Sequence, residues 1–163
     1  MKRTAASLAS LLLAVGFLGL SPSVASARKH APKPAFRYVG GTMALPERCY
    51  GKLEMNSTSM TFKCADGSVD IPYASILLMQ YRPNVSRKVR QMKPRWKVKP
   101  QIYSGWFGGK NNRYFTVIYQ QNDQSPANAL VLQVSPDDMR PYLAEIDVKV
   151  GQRVEVENLD NYD

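Results

Sequence analysis

One histidine, His30, and two cysteines, Cys49 and Cys64, are the whole supply of those two reactive side chains in 163 residues. So small a supply excludes Cys-rich and mixed Cys/His metal sites and leaves little for a His-centred nucleophilic mechanism. The sequence has no Gly-x-Ser-x-Gly, no His-Glu-x-x-His, no Cys-x-x-Cys and no Gly-rich loop of the phosphate-cradling kind. Asp137-Asp138 is its only adjacent carboxylate pair, and the start of a helix explains it. Asp66 and Asp70 flank a turn, and two carboxylates are too few for a cation site. The reading from these absences is a protein that is not an enzyme and carries no cofactor and no metal. Acidic residues are also missing from a long internal stretch, with none between Ile71 and Asn122.

The 44% hydrophobic and 21% charged residues are the composition of an ordinary globular chain, with about one domain for the length. Residues 1–27 read as a signal peptide. Lys2 and Arg3 form a basic start, Leu11–Leu20 an apolar stretch, and Ala25-Ser26-Ala27 a small-x-small cleavage site. The apolar stretch is short for a membrane span of about 20 residues, which favours cleavage near Ala27 and an exported, periplasmic or extracellular protein. Residues 28–37 read as a flexible basic leader containing His30, residues 38–157 as a single domain, and residues 158–163 as an acidic tail.

Within the domain, Leu53 and Met55 alternate with Lys52 and Glu54, and Met60 and Phe62 with Thr61 and Lys63. Period two means strands with one buried face. With Asn56-Ser57 as the turn centre, Leu53 faces Met60, Gly51 faces Phe62 and Cys49 faces Cys64. A slip of one residue would mix the faces. In an exported chain this pairing predicts a Cys49–Cys64 disulfide. Further strands are expected over Tyr38–Leu45 with a bend at Gly40-Gly41, over Ser68–Ile71, Ile76–Tyr81, Arg113–Gln121 and Ala129–Val134, and at an edge over Arg153–Glu157.

Between Val134 and Arg153 the period changes. Ser135 suits an N-cap, Pro136 the first helical position and Gly151 the stop. Met139, Tyr142, Leu143, Ile146 and Val150 share one helical face and are expected against the sheet. Pro141 is the one residue that opposes the helix. The expected fold is mainly β (α+β): a small antiparallel β-barrel or roll of about seven strands with a C-terminal helix.

Three stretches carry a resemblance: Gly51-Lys-Leu-Glu-Met, Met60-Thr-Phe, and Val69-Asp-Ile-Pro-Tyr-Ala-Ser-Ile76. In that order they resemble the opening strands of the bacterial pleckstrin-homology-like families. Tyr114–Tyr119, Leu130–Val134 and the Met139–Val150 helix are similar in order to the rest of that fold. The resemblance spans about half the chain. It implies a pleckstrin-homology-like barrel and a binding role, with no shared catalytic residues.

Residues 82–112 depart from it as a basic insert. Ten basic residues lie between Arg82 and Arg113, whereas Asp137–Asp163 holds eight acids against three bases. The net charge of +9 is therefore concentrated in one place. Arg87, Lys88, Arg90, Lys93, Arg95, Lys97 and Lys99, with Trp96, Trp106 and Phe107, are the candidate surface-binding residues. Cations attract an anionic surface, and exposed aromatic rings wedge into a headgroup region or stack on rings. The partners this suits are an anionic membrane surface, an envelope polyanion or an acidic protein. Nucleic acid fits the same residue types and is disfavoured by export. The competing reading is that Trp and Phe only cover the barrel. Val85, Val89, Met92 and Trp96 have helical spacing, compatible with a short basic amphipathic turn ending at Pro94.

Overall fold

The computed structural model of the protein describes residues 36–46, 48–93, 96–97 and 113–157. Its strands are β1 (Phe36–Gly41), β2 (Tyr50–Met55), β3 (Ser59–Cys64), β4 (Gly67–Pro72), β5 (Ile76–Arg82), β6 (Arg113–Tyr119), β7 (Asn128–Val134) and β8 (Glu155–Val156). Two helices, α1 (Arg87–Arg90) and α2 (Pro136–Val150), and a 3-10 turn at Tyr73–Ser75 complete the described elements. The fold is mainly β, as expected, and the strands form one mixed sheet in the order β4-β3-β2-β1-β7-β6-β5-β8. All neighbours are antiparallel except β8, which runs parallel to β5.

The sheet is rolled but not closed into a barrel. Chain length explains the roll. β4 and β5 are six places apart in the sheet, about 29 Å if it were flat. Only the 3-10 turn separates Pro72 from Ile76, and a connection that short reaches about 14 Å. The sheet must therefore curl until β4 and β5 approach. The turn is tied to both sides of the opening: Tyr73 N donates to Thr58 O at 3.0 Å and Gln120 N to Ser75 O at 2.8 Å. No backbone ladder joins β4 to β5 or β8, so an expected barrel is in fact an open roll with β4 and β8 as edges.

The inside of the roll is the main core. Phe36, Tyr38, Leu53, Met60, Phe62, Ile71, Met79, Tyr81, Phe115, Leu130 and Leu132 are buried in it together with Met139 and Ile146 of α2. α2 forms as its sequence signals demand. Ser135 Oγ accepts from Asp138 N at 3.2 Å, Pro136 occupies the first turn, and Gly151 ends the helix at φ 70°, a left-handed conformation costly to any residue with a Cβ. Pro141 sits inside α2 without breaking it. The carbonyl it deprives of a partner belongs to Asp137, in an exposed first turn where solvent takes over. Tyr142 and Leu143 are half-buried rather than buried, and the Tyr142 ring meets Phe36 edge-on at 5.0 Å between centroids.

Two strand readings need correction. β1 ends at Gly41 rather than Leu45 and begins at Phe36, so it takes in Phe36 and Arg37, which the sequence reading left in the leader. Gly41 closes the strand at φ 155°, and a Cβ there would collide with the Ala129 carbonyl. The Tyr38 hydroxyl then donates to Met43 O at 2.8 Å and holds the departing chain.

The hairpin register is shifted by two residues. Leu53 faces Phe62, Gly51 faces Cys64 and Met55 faces Met60, with Ser57-Thr58 at the turn and Asn56 N donating to Ser59 O at 2.9 Å. A two-residue slip keeps every side chain on its own face, so alternation alone cannot tell these registers apart. The Cys49–Cys64 disulfide forms nevertheless, with 5.9 Å between Cα atoms, as a diagonal rather than a facing pair.

The outer side of the sheet has a second, smaller core of Val39, Val85, Val89, Tyr114, Ile118 and Val131. Strand β6, sandwiched between the two cores, is buried at all seven positions.

Candidate functional site

The second core explains what the first part of the basic insert does. After β5 the chain turns, and Ser86 caps α1, its Oγ accepting from Val89 N. Val85, just before the cap, and Val89, inside α1, are both buried against the sheet. Met92 and Trp96, beyond the end of α1, pack on the same cluster. Lys97 N donates to Gly41 O at 3.0 Å, pinning this end of the segment to β1. The apolar side chains of Val85, Val89 and Met92 hold this segment on the outer sheet, with one short helical turn, Arg87–Arg90, within it.

Orientation of the apolar face fixes that of the cations. Arg87, Lys88, Arg90, Lys93 and Lys97 are all exposed, and none of them is ion-paired to a described acid. Five positive side chains thus share a short segment whose backbone is held by the core beneath it. Trp96 is half-buried and its indole Nε1 is buried without a hydrogen-bond partner among the described residues. It packs on the sheet and contributes apolar cover rather than an exposed ring. Arg95, Lys99, Trp106 and Phe107 lie outside the described residues.

The root of the insert is neutralised differently. Arg82 Nη1 lies 3.1 Å from Glu157 and its Nη2 3.4 Å from Glu155, while Gln80 Nε2 donates to Glu155 at 2.6 Å. Arg113 donates to the Glu157 carbonyl and stacks on Tyr81 at 5.2 Å. The acidic C-terminal stretch therefore folds back as β8 and takes the two arginines at the base. It leaves the cations of α1 unpaired by any described acid.

Among the described residues, no group of three or more His, Cys, Asp or Glu comes together that could hold a metal ion. The resolved shifts in acidity belong to tyrosines, and burial, the main cause each time, raises Tyr38, Tyr73, Tyr119 and Tyr142 away from neutrality.

A residue set missed by the sequence reading lies on the outer face of β1–β3. Lys52 faces Lys63 across the hairpin, and Arg37 faces Tyr50 across β1 and β2. Finding the lysine pair requires the true register, because the shifted one sets Lys52 opposite Thr61.

No family model matches the chain, and no curated protein matches it. No described helix is long and apolar enough to cross a membrane. The disulfide is a bond that forms and persists in oxidising compartments.

Proposed function

We propose that the protein is an exported, non-enzymatic binding module of pleckstrin-homology-like shape whose basic α1 segment docks on an anionic surface. The observation that carries this reading is the anchoring of α1. Val85 and Val89 are spent on the sheet, so Arg87, Lys88, Arg90, Lys93 and Lys97 are held outward on a fixed base with no described acid to neutralise them. Exposed like charges repel one another and add nothing to stability, which favours a role in contact with an anion. The antiparallel meander β1–β4, the following strands β5–β7 and a helix directly after β7 support the family resemblance. The disulfide supports export, and Trp106 and Phe107 of the insert are the aromatic complement that such a surface would use.

Each cation near an anionic membrane contributes about 1 kcal/mol, screened by salt. Replacing Arg87, Lys88, Arg90 and Lys93 by Gln is expected to weaken binding to phosphatidylglycerol-containing vesicles on the order of a hundredfold or more at low salt. The melting temperature should stay nearly unchanged, since these side chains make no described ion pairs. Vesicle co-sedimentation at two salt concentrations checks this. Indifference of the wild-type protein to anionic vesicles at low salt would refute the reading. Binding that persists with an acidic protein and not with vesicles would move the partner to the protein class.

A further inference from the structure

The outer face of β1–β3 is a second charged surface, separate in its side chains from α1. Lys52 of β2 and Lys63 of β3 are directly opposed in the ladder, and Lys63 is exposed. Like charges placed so are destabilising, because their Cβ atoms stand about 5 Å apart. Neither lysine is ion-paired to a described acid. The nearest acid on that face along β2 is Glu54, one outward position further on and opposite Thr61. Thr61 in turn donates to Asp70 at 2.6 Å.

On the other side of Lys52 along β2 comes Tyr50, 54% exposed although aromatic. Its ring is steadied by Arg37, whose guanidinium carbon lies 5.9 Å from the ring centroid. Arg37 is itself aimed by the bond from its Nη1 to Gln133 Oε1 at 3.1 Å. The array is therefore an exposed, oriented aromatic ring with one arginine beside it and a directly opposed lysine pair one rung away.

We infer that this surface binds an acidic glycan strand, with Lys52, Lys63 and Arg37 meeting its acid groups and the Tyr50 ring packing on the C–H face of a sugar. The chemistry separates this ligand from others. A small anion would need one cation and no ring. A glycan presents apolar C–H faces and negative groups alternately along one chain, which is the alternation of Tyr50 and the lysine rung along β2. The inference goes beyond the α1 reading and does not depend on it.

The test uses a sulfated heparin-type hexasaccharide, with the uncharged hexasaccharide of the same length as control. Titration calorimetry at low salt compares the intact protein with Lys52→Gln/Lys63→Gln, with Tyr50→Ala and with Arg87→Gln/Lys88→Gln/Arg90→Gln. The lysine pair variant should lose at least tenfold in affinity and Tyr50→Ala several-fold, while the α1 variant stays within twofold of wild type. The melting temperature of Lys52→Gln/Lys63→Gln should equal or exceed that of wild type, because a repulsion is removed. The inference is overturned if the wild-type protein does not bind the sulfated hexasaccharide. Wild-type affinity in the lysine pair variant overturns it too, as does an equal loss in all three variants, since that marks binding by net charge alone. Vesicle binding by the same proteins reads the α1 platform separately, so the failure of one surface is told apart from that of the other.

Discussion

Ile146→Ala is expected to destabilise the domain by about 2–5 kcal/mol, the range for deleting a fully buried branched side chain whose cavity does not collapse. Ile146 has no exposed surface and lies with Met139 in the main core, where α2 closes the roll. Leu143→Ala should cost less, because Leu143 is only half-buried at the margin of that core. Val148→Ala should change stability by no more than about 0.5 kcal/mol, the scale of surface substitutions. Val148 is 85% exposed on the opposite side of the helix. Urea unfolding of the three variants measures the differences directly. A midpoint for Ile146→Ala equal to that of Val148→Ala would mean that α2 does not close the core.

That helix was the most legible element of the chain. Ser135, Pro136, Asp137-Asp138, a five-residue apolar face and Gly151 all point to the same boundaries, and the observed Pro136–Val150 agrees with every one of them. The strands were legible as strands for a similar reason, since period two is a local property. What failed were the non-local choices. The hairpin register depends on where four polar residues, Asn56 to Ser59, place their turn. Two registers differing by two residues bury the same side chains, so nothing in the apolar pattern separates them. Closure failed likewise: alternation says which face of β4 is buried, not whether its edge meets β5.

The candidate sites follow the same division. The α1 cations stood out because they cluster in sequence, and the spacing of Val85 and Val89 told which side would be covered. The Lys52, Lys63, Arg37 and Tyr50 group draws on three strands and became visible only once their register was fixed. The pairing of Arg82 and Arg113 with β8 was open to anticipation from the acidic C-terminal stretch, but not the particular partners. A parallel strand of two residues carries almost no pattern of its own.

Removing the disulfide by Cys49→Ser/Cys64→Ser is expected to cost about 3 kcal/mol, the loop-entropy value for a closed loop of about 15 residues. For a domain of about 120 residues this corresponds to a fall of about 10–15 °C in melting temperature. The bridge ties the approach to β2 to the end of β3, and its 15-residue separation encloses the whole hairpin with its turn. Because β2 also pairs with β1, whose Phe36 and Tyr38 lie in the main core, loosening the hairpin loosens the first half of the roll. Cys49 is itself buried, so a serine hydroxyl there adds the cost of an unpaired polar group. Dithiothreitol treatment of the wild-type protein separates the two contributions. Reduction should reproduce most of the shift, and the double serine variant should melt lower still and be indifferent to the reductant. If reduction leaves the wild-type melting temperature unchanged, the hairpin is held by its ladder and its buried Leu53, Met60 and Phe62 alone, and the bridge contributes nothing to the fold.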